Sequence, residues 1–473
     1  MKLSRIIAFV LLLMTTMACQ DDWSFSVDDR YELEFSADTL ELDTVFTGVS
    51  SGSYLFMVYN PNGVNLRFDA VMGGGASSPF RINLDGQGGA QILGQEIAAH
   101  DSLFCYVSVN IPESDDLGYF REFDSVRFVL ESGNVQYVRL RACGENAVRL
   151  KGRRIMSDTT LTAHKPFLIY DSLCVAEGAT LTPAPGTRLY FHNDAVLDIA
   201  GRIVAQGSQD SMIVMRGDRL DVMQTVPPVP YDLRSSQWRG IRIRGGSYDN
   251  VFRYCDIHSS DFGIKADSAA ADRIKLGLYS SIINNVKGNC IEATGCRIEV
   301  ANSQITNAGV SCVDVAGGVS DFMFCTIASF SLWSLGEQAV MVTDRRDGVP
   351  VPFVGARFRN CIITGRHADE FVASLADSVK KLDVYSVSNS LVRTTDSLDT
   401  HLSNVVFDAG ETVGADNFRY KSRDGLRPVF RLDSLSKARG AAGEGAALWP
   451  VDLAGVARPP MGADAGCYQY VDY

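Results

Sequence analysis

No part of this chain is apolar for long enough to cross a membrane as a helix: its one sustained run, Ile6–Met14, is nine residues, against the roughly 20 that a spanning helix needs. Histidine is scarce, at 6 in 473 residues, and the 11 cysteines never fall into a CxxC spacing or beside a histidine cluster, which speaks against a zinc site. Positive charge is also in short supply. With 44 Lys and Arg against 56 Asp and Glu, the formal net charge is −12, a balance that argues against nucleic acid or anionic lipid as the main partner, since either calls for a basic patch. What is present is apolar content of 46% and 42 glycines, enough for two domains with cores of their own and too much for a disordered chain.

Lys2 and Arg5 precede the short apolar run, and the run closes on Thr16-Met17-Ala18-Cys19. This arrangement suits a signal peptide and resembles the lipobox of bacterial lipoproteins, with Thr16 in place of the usual leucine. The resemblance implies acylation of Cys19, removal of 1–18, a tether over 19–30, and membrane attachment through the lipid alone. Gln20-Asp21-Asp22 resembles the acidic export tag of surface lipoproteins of Bacteroidetes, which implies an outer-membrane, cell-surface location.

Cysteines in an exported chain raise the question of a disulfide framework, but such frameworks belong to short chains with little core. Cys255, Cys325 and Cys361 share a repeat position with Ser281 and Ser303. Cysteine there reads as a small, buried, weakly polar residue and a free thiol.

Residues 31–146 read as an all-β unit. The runs Tyr54–Tyr59 and Val64–Val71 flank the turn signal Asn60-Pro-Asn-Gly63, and Val126–Leu130 and Val135–Ala142 flank Glu131-Ser-Gly-Asn134. Alternation of Val64, Leu66 and Phe68 with Asn65, Arg67 and Asp69 gives strands one wet face, as in a sandwich. The frame Val45-Phe-Thr-Gly48, Val58-Tyr-Asn60, Pro79-Phe-Arg-Ile82 resembles immunoglobulin-like domains of the abnormal-spindle and Hydin type, which implies a spacer or interaction module.

Further on, a six-residue frame recurs: Phe252-Arg-Tyr-Cys255-Asp-Ile257, Leu278-Tyr-Ser-Ser281-Ile-Ile283, Val300-Ala-Asn-Ser303-Gln-Ile305, Phe322-Met-Phe-Cys325-Thr-Ile327, Phe358-Arg-Asn-Cys361-Ile-Ile363 and Val387-Ser-Asn-Ser390-Leu-Val392. Terminal residues are spaced 26, 22, 22, 36 and 29 apart, a minimum period of 22 with insertions. Units this short cannot bury their own apolar faces, so they must stack, with the terminal Ile and Val in one inward ladder. A second column is expected at Ile264, Ile291, Val313 and Leu335. The pattern resembles the right-handed parallel β-helix of the pectate-lyase-like superfamily. That gives an all-β chain, an immunoglobulin-like β-sandwich followed by a parallel β-helix solenoid over 150–430. Residues 431–473 resemble the closing segment of exported β-helix proteins, which implies a cap over the open last coil.

Insertions at Ala266–Asp272, Gly336–Pro352 and about Ser374–Lys381 follow the second column, so they are expected to emerge at one corner and wall a groove, with the loop Asp218–Gln237 beside it. Arg244, Asp256, His258, Asp261 and Lys265 are the best local grouping for acid–base work, and Asp256 and His258 should point outward from Ile257. Tyr231, Trp238 and Trp333 are candidate platforms for sugar rings. Arg273-Ile-Lys275 matches a triplet of polygalacturonase-like enzymes, but their Asn-Thr-Asp, Asp-Asp and Gly-His-Gly motifs are absent from the preceding coils. Asp115-Asp116 and Asp28-Asp29 read as solvated charges. These features favour a surface lipoprotein that binds extracellular polysaccharide or another surface partner along the groove, without catalysis, cofactor, metal or nucleic acid. The alternatives are a polysaccharide lyase or glycoside hydrolase with a non-standard site, calcium entering only with the lyase, and a structural or adhesive surface protein.

Overall fold

The computed structural model describes residues 24–113, 119–223, 225, 228–331, 334, 336–408, 414–419 and 429–472. Cys19, Trp333, Leu335 and Asp115-Asp116 lie outside them. Strands account for 50% of the chain and helix for 3%, so the protein is all-β. It divides into two compact units, one closing at Glu145 and one running from Asn146. Among the described residues no helix is long and apolar enough to cross a membrane.

In the first unit two five-stranded sheets share one apolar core. Phe56 from one sheet and Phe68 and Phe128 from the other meet near its centre, with Phe56 and Phe128 edge to face at 6.2 Å and Phe68 and Phe128 at 5.7 Å. Tyr119–Leu130 and Val135–Glu145 form an antiparallel hairpin about the turn expected there. The Asn60-Pro-Asn-Gly63 turn does something else. It carries the chain from Tyr54–Tyr59 in one sheet to Leu66–Met72 in the other. Asn60 is buried and its amide donates to the carbonyls of Val64 and Ala98 at 2.8 and 2.9 Å, which closes the crossing without a ladder.

The second unit is built on two long parallel sheets, of 18 and 10 strands. Each six-residue frame crosses from one sheet to the other. Its first residue belongs to the ten-stranded sheet, where Phe252, Leu278, Val300, Phe322, Phe358 and Val387 are in register. Its last belongs to the larger sheet, where Ile257, Ile283, Ile305, Ile327, Ile363 and Val392 pair in turn, each 0% exposed. The bend between them is made by the third residue, and Tyr254, Ser280, Asn302, Phe324, Asn360 and Asn389 all have φ between 47° and 57°. Asparagine tolerates this left-handed backbone best; the aromatic and serine members hold it only because their neighbours on both sides are fixed by the stack.

The Ser/Cys column follows at once. Ser281 and Ser303 donate to the carbonyls of Tyr279 and Ala301 at 2.8 Å and accept the amides of Cys255 and Ser281 at 3.0 and 3.1 Å. Each hydroxyl thus satisfies one buried carbonyl at its own bend and one amide of the preceding frame. The thiols of Cys255 and Cys325 lie 3.6 and 3.4 Å from equivalent carbonyls, and burial pushes both upward in pKa, so they stay protonated. All ten cysteines among the described residues are free.

Two expectations are corrected. The second inward column runs Ile264, Ile291, Val313, Val340, Phe371, so Val340 takes the place expected for Leu335. The extra length after Ile327 therefore falls on both sides of this strand, part before Val340 and part in the hairpin of Arg345–Arg346 with Val349–Pro350. The C-terminal segment is not confined to the last turn. It begins there, with Phe418 and Phe430 packed among Phe330, Leu391 and Val406, and then returns along the flank. Gly466 donates to Asn360 O at 2.8 Å, Cys467 to Thr326 Oγ1 at 3.1 Å, Tyr468 to Gln304 Oε1 at 2.9 Å, and Ala454 O accepts from Gln209 at 2.7 Å. The reason is visible in Gln304–Ala308, Thr326–Ser329 and Ile362–Gly365, whose outward residues include Ala328 and Ile362 and are buried like the inward ones. An apolar flank of this size has to be covered.

Candidate functional site

Of the five polar residues expected to act together, only Asp256 and His258 meet; the other three are engaged elsewhere. Arg244 makes a forked pair with Asp198 at 2.7 and 2.6 Å, and Lys265 pairs with Glu292 at 2.8 Å. Lys265 belongs to an outward row in which Asp198, Arg242, Lys265, Glu292 and Asp314 stand in register on successive strands, Arg244 pairing with its first member and Arg346 closing on its last, Asp314, at 2.6 and 3.1 Å. Opposite charges on neighbouring strands stabilise a sheet surface. Asp256 is bonded to His258 Nδ1 at 2.9 Å, both half-buried and outward as expected. Asp261 accepts from Ser236 Oγ at 2.5 Å and lies 3.9 Å from Lys287.

The aromatic platforms fare differently. Trp238 is 1% exposed, its ring stacked on Phe191 at 4.2 Å and its Nε1 donating to His258 O at 2.9 Å. It is core and offers no face to a sugar, which corrects the expectation. Tyr231 begins a 3-10 turn, Tyr231–Leu233, and the guanidinium of Arg219 already sits 4.1 Å over its ring. The insertions lean on neighbouring turns and, at Ala376 with Asp344, on one another. Ala270 N donates to Tyr248 Oη at 3.0 Å, Ala376 N to Asp344 Oδ2 at 3.3 Å, and Val351 Cγ1 lies 3.0 Å from where a Cβ on Gly295 would stand. Space expected to be a groove is partly filled by these contacts. Lys275 is 0% exposed and donates to the carbonyls of Arg244, Gly245 and Ser247, the last two at 3.0 and 3.1 Å; burial lowers its pKa. It is a clamp on a turn.

A cleft of about 510 Å³ opens instead beside the last strands of both parallel sheets, lined by Asp369, Lys380, Tyr385, Thr394, Thr395, Asp399 and His401 and by the apolar Phe371, Val372, Leu398 and Leu402 among others. Asp369 accepts from Thr395 N at 2.6 Å, from Thr395 Oγ1 at 2.9 and 3.1 Å, and from Thr394 Oγ1 at 3.0 Å. These bonds, the Thr395 amide foremost, hold its carboxyl below the usual range against the cost of partial burial. Asp399 is opposed by burial, but it too is held low, by His401 N at 2.9 Å, His401 Nδ1 at 2.6 Å and Tyr385 Oη at 2.8 Å. An ionised Asp399 can only accept, so His401 carries its proton on Nδ1. The His401 ring stacks on Tyr385 at 4.0 Å and 19°. Burial first, then the bond to Asp399, raises the Tyr385 phenol, so it remains a donor.

Behind the cleft wall lies a carboxyl of the opposite kind. Glu370 is 0% exposed, accepts from His367 N and Ala339 N at 2.7 Å each, and is pushed by burial up to about 7. Its folded state keeps a proton that the unfolded chain, near 4.3, releases. Stability from this group is therefore full below about pH 4, falls as pH rises to about 7, and is flat above, a loss on the order of 4 kcal/mol. Glu370→Gln should flatten that decline. Urea midpoints of both proteins at pH 5 and pH 8 check it, and equal slopes would contradict it.

The cleft residues carried a faint signal, Thr394-Thr395-Asp396-Ser-Leu-Asp399-Thr-His401, a polar run after the final frame. The run does not stand out as a site because its partners Asp369 and Tyr385 come from two earlier segments.

No protein-family model matches the chain, nor does any curated protein. Among solved structures, a family 123 glycoside hydrolase from Clostridium perfringens is 8% identical over 25% of this chain, with a TM-score of 0.19; the match spans 30% of that hydrolase. The PapD-like domain 7 of human CEP192 is 10% identical, covering 27% of this chain and 93% of its own at a TM-score of 0.18. The catalytic unit of a GH87 α-1,3-glucanase from Streptomyces thermodiastaticus strain HF3-3 is 8% identical over 76% and 89%, at a TM-score of 0.13. Likenesses this low carry no functional argument.

Proposed function

We propose that this is an exported, lipid-anchored cell-surface protein in which an immunoglobulin-like sandwich carries a right-handed parallel β-helix, and that the cleft beside the last coils holds a segment of extracellular polysaccharide without cleaving it. The observation that supports this is the pair Asp369 and Asp399, both set as ionised acceptors by Thr394, Thr395, Tyr385 and His401. Fixed acceptors of this kind suit sugar hydroxyls, with Lys380 at the wall as a donor.

The hydrolase alternative draws on the same two carboxylates. Glycoside hydrolysis needs one carboxyl kept protonated as the acid, whereas both of these are held low. The raised one, Glu370, is sealed from solvent with both oxygens on backbone amides.

The test is retention and product formation by the purified mature protein on a panel of neutral and uronic-acid polysaccharides. Asp369→Asn and Asp399→Asn should each weaken retention about tenfold, the worth of roughly 1.4 kcal/mol. Unchanged retention would sink the cleft, and depolymerisation lost in Asp369→Asn would promote the hydrolase. In cells, Cys19→Ser should move the protein out of the membrane fraction; if it stays there, the lipid is not the anchor.

A further inference from the structure

The net charge of −12 hides a local reversal. On the hairpin of Tyr119–Leu130 with Val135–Glu145, alternate residues face outward, and the antiparallel register sets Tyr137 opposite Arg127, Arg139 opposite Ser125, and Arg141 opposite Phe123, with Arg121 at the end of the row. All four arginines are exposed, and the two rings are open to solvent, Phe123 at 62% and Tyr137 at 53%. Arg141 is matched by Glu41 at 3.0 Å. Among the described residues Arg121, Arg127 and Arg139 have no ion-pair partner. The contrast with the second unit is sharp, because there the outward Asp198–Arg242–Lys265–Glu292–Asp314 row is neutralised pair by pair. Three arginines left unmatched on one sheet face in an acidic chain, interleaved with bare rings, make a surface with an uncompensated field.

We propose that this face of the first unit binds an anionic polysaccharide, a chain of sugar rings bearing carboxylates or sulfates. Guanidinium forks take carboxylate and sulfate oxygens in pairs, and aromatic faces take the apolar side of a ring. Outward residues recur every ~6.6–6.8 Å along a strand, and Phe123 stands beside Arg121 and opposite Arg141 while Tyr137 stands beside Arg139 and opposite Arg127, so each ring has guanidinium neighbours, as each sugar ring of such a polymer has its charge. The inference stands on the first unit alone and does not depend on the cleft.

The full mature chain is run through gels containing polygalacturonate, dextran sulfate or neutral dextran, and its binding to single-stranded DNA and to phosphatidylglycerol vesicles is measured in parallel. Retardation by polygalacturonate or dextran sulfate and not by dextran is expected, the two arms separating carboxylate from sulfate. Arg127→Gln with Arg139→Gln should weaken it at least tenfold without changing the melting temperature, and Tyr137→Ala about threefold with every charge in place. Arg202→Gln, at an exposed arginine of the other unit that does not line the cleft, should leave it unchanged, and the double arginine variant keeps Asp369 and Asp399 in place, so failure of this face and failure of the cleft are told apart. Equal retardation of the double variant overturns the proposal, as does tighter binding of DNA or vesicles than of either polysaccharide.

Discussion

Ile305→Ala is expected to destabilise the second unit by ~2–5 kcal/mol, and Ile305→Asp to leave it unfolded. Ile305 is 0% exposed and stands in register between Ile283 and Ile327. Truncation loses the burial of the side chain and leaves a cavity that the neighbouring strands cannot close, because each is itself held by the next. A carboxylate there would have no partner in an apolar column and would meet the full cost of desolvation. Circular dichroism and urea unfolding read both outcomes. An Ile305→Asp protein that melts with the parent would show that the inward ladder is wrongly placed.

Arg458→Ala should come next in size, about 3 kcal/mol or more, with loosening of the C-terminal segment. Arg458 is 6% exposed. Its Nη1 donates to Trp449 O and Val451 O at 3.1 and 2.7 Å, its Nη2 to Asn302 Oδ1 and Gly466 O at 2.7 and 3.2 Å, and its guanidinium lies 4.3 Å over the Phe324 ring. Burial lowers its pKa, yet the four acceptors keep it in place. Removing it strands buried acceptors at ~1–3 kcal/mol each, and the loss falls on the join between segment and flank. Arg458→Lys keeps a charge but not the fork, and should fall between the two. Limited trypsin digestion at Lys437 and Arg439 should accelerate in Arg458→Ala; an unchanged digestion pattern and melting point would refute the role.

Much of this architecture was legible because a repeat converts sequence spacing into position. The inward column from Ile257 to Val392 needed only a minimum period and the rule that short units must stack. It misled at Leu335, since an apolar residue at the familiar offset looks the same whether or not extra residues have moved the strand on to Val340. Trp238 was hard to place for a related reason: a ring at a strand's start packs or projects according to what lies a turn away, here Phe191, 47 positions earlier. The cleft was harder still. Asp369, Tyr385 and Asp399 belong to three separate segments, and nothing local in any of them marks the others. The arginine face was diluted in the linear order, where buried Val126, Phe128, Val138 and Leu140 alternate with the charges.

The left-handed residue of each frame lies three positions before its ladder residue in every case, from Tyr254 and Ile257 to Asn389 and Val392. All variation in length is accordingly displaced to the rest of each circuit. One residue gained or lost inside that three-step interval would turn every following side chain of its strand from interior to exterior, whereas a dozen gained elsewhere only lengthen a loop. The chain therefore has one edge on which its spelling is rigid, while the rest of each circuit, on both sides of the second inward strand, is free to diverge, and novelty in this protein can enter anywhere but at that edge.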